Sequence, residues 1–117
     1  MGFRERILSE IAMSNSKLEF KQRVQEWAKK LEIEISWLGV RPMKNKWASY
    51  STNGHLNFNS ELLDLDLDVW DYVIVHELLH FSVPNHGKLW KSLMRVHLGD
   101  YEKAEDRLKG TLSTSTL

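Results

Sequence analysis

The chain has 117 residues, room for one domain with a modest core and little space for a separate substrate-recognition module. Its 16 basic and 16 acidic residues cancel, so no global charge draws it to nucleic acid or an anionic membrane, and the absence of cysteine excludes disulfides and thiolate metal sites. The first residues carry charges throughout, unlike a signal peptide, Arg6 stands where a myristoylation signal needs Ser or Thr, and no run approaches the roughly 18 apolar residues of a membrane span; the expectation is a soluble cytoplasmic protein.

In chain order, residues 3–13 predict a short helix. Ser16-Lys17-Leu18-Glu19 has the spacing of a capping box, and Leu18, Val24, Trp27, Ala28 and Leu31 recur at helical intervals, which predicts a second helix over 17–31. Ile33-Glu34-Ile35-Ser36-Trp37 alternates apolar with polar and predicts a strand, interrupted from Gly39 to Pro42. Lys46-Trp47-Ala48-Ser49-Tyr50 and His55-Leu56-Asn57-Phe58-Asn59 flank Ser51-Thr52-Asn53-Gly54, whose Asn-Gly pair suits the positive φ angles of a tight hairpin. Ser60 is expected to cap a short turn through Leu63, and Asp68 to cap the next helix after a connector. That helix, 69–81, is apolar almost all round, and Pro84 ends it near Phe81 or Ser82. Asn85 then caps a helix over 86–98 with Leu89, Trp90, Leu93, Met94 and Val96 or His97 inward. Asp100 caps a last one to about Lys109, Gly110 ends it, and 111–117 form a polar tail that could fold back over a cleft as an autoinhibitor. The predicted class is α+β: N-terminal helices, a small antiparallel sheet of about three strands, one buried helix and C-terminal helices, in a single domain of residues 1–110.

The buried helix carries the chemistry. Residues four apart share one helix face, so His76 and His80 can reach one metal while Glu77 leans toward a water beside it. Two imidazoles and a carboxylate in an apolar helix are costly unless paired, hydrogen-bonded or coordinated; a metal satisfies all three, and neighbouring side chains are the competing explanation. His86 is the candidate third ligand, brought back by the turn at Pro84; the alternative is a helix-entry residue beside Asn85. The His80-to-His86 spacing equals that of metzincins, but Val83 replaces their glycine and no Met-turn region follows. His55 and His97 read as surface or packing histidines.

Several blocks together resemble a known family: Lys46-Trp47-Ala48-Ser49-Tyr50, Gly54-His55-Leu56-Asn57-Phe58-Asn59, Asp71 through His80, Asn85-His86-Gly87-Lys88-Leu89-Trp90 and Asp100-Tyr101. They resemble the YgjP-like metal-dependent hydrolases, relatives of the SprT-like and WLM metalloproteases, over roughly residues 41–109. The resemblance implies a compact zincin fold with His76, His80 and His86 as metal ligands and Glu77 as catalytic base. Lys46 stands for the family's usual Arg, Ala48 for Gly, Gly87 for Ser and Leu89 for Phe; none of these changes removes a ligand or the base.

The expected activity is a zinc-dependent peptidase: one Zn2+ held by three imidazoles keeps a position for water, whose proton Glu77 accepts and returns to the leaving amine. Tyr101 is the candidate oxyanion stabiliser, by chemistry and by family position, with a packing tyrosine as the alternative. A peptide or protein substrate is expected as an added strand along the hairpin, lined by Trp47, Ser49, Asn57 and Asn59. Two other classes stay open: a zinc amidase acting on something other than protein, and a non-enzymatic binding module around a remnant site. His-rich sites also accept cobalt, nickel and copper, and the sequence leaves the oligomeric state open.

Overall fold

A computed structural model describes the chain over residues 3–81, 83 and 87–110, with side chains from Asn15 onward. Its first element, α1 (Phe3–Lys30), is one helix of 28 residues where the sequence predicts two. Ser14, Asn15 and Ser16 each cost only about 0.5 kcal/mol in a helix interior relative to alanine, whereas a break would leave about eight backbone groups without helical partners. Continuity wins, and the capping box at Ser16 starts no helix.

The end of α1 explains why the first strand begins late. Ile33 N donates to Ala28 O at 2.8 Å and Glu32 N to Lys29 O at 3.2 Å, with Glu32 at φ 58°, the hydrogen-bond pattern of a Schellman cap. Ile33 is thereby committed to the helix end and packs on the core. The strand expected over 33–37 instead runs from Trp37 to Arg41, β1, straight through Gly39. A Cβ on Gly39 would lie 2.4 Å from Trp37 Cη2 and 2.7 Å from Asn57 Oδ1, so this glycine is a packing requirement and not an interruption.

The expected hairpin forms from β2 (Ala48–Tyr50) and β3 (His55–Asn59). Its turn uses a positive φ only at Gly54 (85°), closed by Gly54 N to Ser51 O and Ser51 N to His55 O. The sheet is mixed, which corrects the expected antiparallel one: strand order is β1-β3-β2, with β1 parallel and β2 antiparallel to β3. The segment after β1 carries the chain to the far edge before β3 returns between the two, and strand periodicity does not record such a crossing. Alternation sorts the side chains: Val40, Leu56 and Phe58 enter the core with Ala48 and Tyr50 in register opposite Phe58 and Leu56, while Ser49 and Asn57 face the other way with Trp37.

Asn59 joins sheet to helices. Its amide donates to Met43 O and Lys46 O and its Oδ1 accepts from Glu61 N at 3.0 Å, so Asn59, not Ser60, caps the 3-10 turn Ser60–Asp64. α2 (Leu67–Leu79) follows from Asp66, two residues before the expected Asp68 cap, and every residue from Val69 to Leu79 except Asp71 is buried. Asp71 is held by Arg23 through two hydrogen bonds and by Trp27 Nε1 at 2.8 Å, tying α2 to α1. Phe20 of α1 meets Phe58 and Trp70 edge-on, both at 5.0 Å; at about 1.5–3 kcal/mol per buried large apolar side chain, this junction unites α1, β3 and α2.

α3 (Lys88–Leu98) is capped at Gly87, while Asn85 lies outside the described residues. Trp90 and Met94 face inward as expected, but Leu89 and Val96 are 62% and 76% exposed, because seven-residue spacing puts both on a stripe rotated away from Trp90. α4 (Glu102–Lys109) begins after Tyr101 and buries Ala104 and Leu108. The tail 111–117 lies outside the described residues. No described helix is long and apolar enough to cross a membrane.

Candidate metal centre

The site is built at the C-terminal end of α2. The helix ends at Leu79, yet His80 keeps helical angles (φ −63°, ψ −22°), so its ring stays one turn above that of His76. The two imidazoles meet edge to face with centroids 4.9 Å apart. Glu77 brings Oε1 to 3.4 Å from His76 Nδ1, and one donor atom from each of His76, Glu77 and His80 lies within 4.8 Å of the others. His76 and Glu77 are 2% and 5% exposed, and His80 is half-buried. Imidazole nitrogens converging with a carboxylate in an apolar setting are a donor set that fits a divalent cation. His86 lies outside the described residues, so its expected ligand role is not placed.

Rings hold the two histidines in different ways. His76 has Trp90 edge-on at 4.9 Å and Tyr72 tilted at 5.7 Å. Tyr72 is anchored in turn, its hydroxyl donating to Glu105 Oε2 at 2.8 Å, and burial first, then this hydrogen bond, push its phenol well above the ordinary value. His80 instead lies under Tyr50 of β2, ring planes 6° apart and centroids 5.6 Å apart. Sequence reasoning missed Tyr50; the available signal was alternation, which puts it on the helix side of the strand.

The other expected site residues are distributed as follows. Tyr101, 6% exposed, stacks on Tyr72 at 6.1 Å and stands edge-on to Trp90 at 6.2 Å, touching both rings that flank His76; burial raises its phenol pKa. Trp47 is 2% exposed in the core and Asn59 is consumed by its three hydrogen bonds. Ser49 and Asn57, paired in register, are partly exposed on the sheet face turned away from the core. His55 is exposed beside Trp37, and His97 stands edge-on to Trp27 at 6.2 Å, so neither joins the donor cluster. A cleft of about 730 Å3 along α2 and α4, lined by Asp68, Asp71, Lys103 and Arg107 among others, shares Tyr72 and Tyr101 with this region but none of the three donors.

The model of the YgjP-like metallopeptidase domain matches residues 3–111. The chain belongs to that family. Its members are metallopeptidases, so this YgjP-like chain is a metal-dependent peptidase, as the resemblance implied. An uncharacterised protein of Methanocaldococcus jannaschii, MJ0123, is 31% identical over 102 residues, covering 83% of this chain and 93% of that protein. The crystal structure of the metallopeptidase zymogen jannalysin from the same organism is similar with a TM-score of 0.66 and 33% identity, over 77% of this chain and 91% of that one. The zymogen of Pyrococcus abyssi abylysin, at 21% identity, shares the fold with a TM-score of 0.70 over 84% of this chain and 99% of that one.

Proposed function

We propose that this YgjP-like chain is a zinc-dependent peptidase in which His76, His80 and His86 hold one zinc ion and Glu77 is the general base. The observation that carries the reading is the convergence of His76, Glu77 and His80 donors within 4.8 Å at the end of a buried helix; His86 enters from its spacing and from the family resemblance. When bound, the ion lowers the pKa of a water toward about 7 and polarises the scissile carbonyl.

The rest falls to the chain's own residues. Glu77 takes a proton from the attacking water onto a carboxylate oxygen as the water's oxygen bonds to the peptide carbon. It then delivers that proton to the amide nitrogen as the C–N bond breaks, which leaves a neutral amine and regenerates the carboxylate. Holding Glu77 at 5% exposure against His76 keeps its proton from bulk water between the two transfers.

The substrate is an extended peptide added to the outer edge of β2, whose only strand partner among the described residues is β3. Main-chain groups of β2 make that pairing, and Ser49 and Asn57 border it from the opposite sheet face. Trp47 and Asn59 set the position of the edge from within, because Asn59 N bonds Trp47 O and its side chain bonds Lys46 O. Tyr101 braces Tyr72 and Trp90 through its ring, and its hydroxyl is the candidate second stabiliser of the oxyanion.

The test is elemental analysis of the purified protein after loosely bound ions are removed, with His86→Ala alongside, followed by a peptide screen. One zinc per chain, lost or weakened in the variant, together with peptide turnover, is the expected result. No metal uptake when zinc is offered at neutral pH would overturn it.

A further inference from the structure

We infer that Tyr50 is a positioning residue for the metal centre: its ring fixes the plane of the His80 imidazole from the strand that borders the substrate cleft. The inference rests on the proposed zinc site and adds a residue outside its donor set.

The two histidines sit in different surroundings. His76 is 2% exposed and flanked by the buried rings of Trp90 and Tyr72. His80 stands past the last helical residue, its N–H shared between Glu77 O and Leu78 O, and its side is half open. An imidazole there keeps its donor nitrogen toward His76 only while its ring plane is held. Tyr50 is placed to do so, since it is the last residue of β2, pairs with Leu56 of β3 and turns toward α2. Its ring lies nearly parallel to that of His80, 6° and 5.6 Å apart, and is braced by Phe81 at 5.2 Å and 47°. Tyr50 is still 37% exposed, so its ring is only partly covered by these contacts.

Offset stacking restrains turning of the imidazole about its Cβ–Cγ bond, which sets the plane in which its ring nitrogens lie. The contact is made by ring faces, so phenylalanine should replace tyrosine, while leucine keeps bulk and apolarity without a flat face. Partners that orient a ligand commonly change metal affinity by about 10–100-fold.

The experiment compares wild type, Tyr50→Phe and Tyr50→Leu for zinc affinity by competition with a chromophoric chelator, and for the visible spectrum of the cobalt-loaded proteins. Thermal melting of the metal-free forms controls for folding. The expected result is zinc affinity about tenfold lower with an altered cobalt spectrum in Tyr50→Leu, and wild-type values for both in Tyr50→Phe. Wild-type zinc affinity and spectrum in a folded Tyr50→Leu overturn the role of Tyr50 and leave the zinc reading intact. Loss in Tyr50→Phe equal to that in Tyr50→Leu also overturns it, because the ring face would not be what matters. If wild type itself binds no metal, the zinc reading fails and this inference with it.

Discussion

Trp90 stands edge-on to His76, ring centroids 4.9 Å apart at 80°, so the first imidazole of the donor cluster is seated against an aromatic wall supplied by the next helix. Trp90 is 3% exposed. Trp90→Ala would open a cavity beside a buried histidine and is expected to cost about 3–5 kcal/mol; Trp90→Phe should cost clearly less. Urea unfolding of the metal-free proteins measures both, and a Trp90→Ala loss under about 1 kcal/mol would show the wall to be dispensable.

Glu77 separates binding from chemistry. Glu77→Gln keeps the shape of the side chain but cannot hold the proton, so peptide turnover should fall by at least about 10²-fold, while zinc content stays at the wild-type level. Turnover within a few-fold of wild type in a zinc-loaded Glu77→Gln would remove the general-base role.

Tyr101→Phe distinguishes bracing from oxyanion stabilisation. With Tyr101 stacked on Tyr72 and edge-on to Trp90, the phenyl ring preserves the packing, and kcat should stay within about threefold of wild type if bracing is its role. A fall of about 10²-fold in kcat at unchanged stability would instead assign its hydroxyl to the transition state.

The Arg23 and Asp71 side chains, 48 residues apart, pair through hydrogen bonds of 2.6 and 2.8 Å, and the carboxylate also accepts from Trp27. The hydrogen bond to Asp71 is the main reason the Arg23 guanidinium is held above its ordinary pKa. Asp71→Ala should destabilise the protein by about 2 kcal/mol. Because the pair is partly exposed, its coupling in a double-mutant cycle with Arg23→Ala should be about 1 kcal/mol. Additive single losses would mean that the pair records geometry without stabilising the fold.

Alkaline pH tests the buried phenol behind His76. Burial and the hydrogen bond to Glu105 raise the Tyr72 pKa in the folded chain, so the folded state retains a proton that the unfolded state loses. The sign follows from linkage: this contribution is fully present below the unfolded value of about 10 and declines as pH rises above it. Unfolding free energy followed from pH 8 upward should fall less steeply in Tyr72→Phe than in wild type. Parallel curves would remove Tyr72 as a source of the decline.

How much of this was legible in advance depends on the distance over which each feature is decided. The His76-Glu77-His80 cluster was readable because helical periodicity alone fixes which residues share a face, and the apolar run from Val69 supplied the helix. The hairpin was readable from Asn53-Gly54 and its flanking strands. The joined α1 was not, because the capping signal at Ser16 competes with continuity and only packing of Phe20, Val24 and Ala28 onto the rest of the chain holds the helix in place. The displaced β1 follows from the cap at Glu32, a conformation that a non-glycine residue gives no sequence reason to expect.

The sequence by itself determined the His76-Glu77-His80 cluster, the helix that carries it and the reaction class, since these follow from local spacing and side-chain chemistry. Tertiary structure decided the rest: the mixed strand order, the face on which Ser49 and Asn57 fall, the burial of Trp47 and Asn59, and the rings of Tyr50 and Trp90 beside the two histidines. The physical reason is that strand pairing and the ring contacts of Tyr50 and Trp90 join residues well separated along the chain, His76 with Trp90 and Tyr50 with His80. Their partners are chosen by how the whole core packs, which no local pattern encodes.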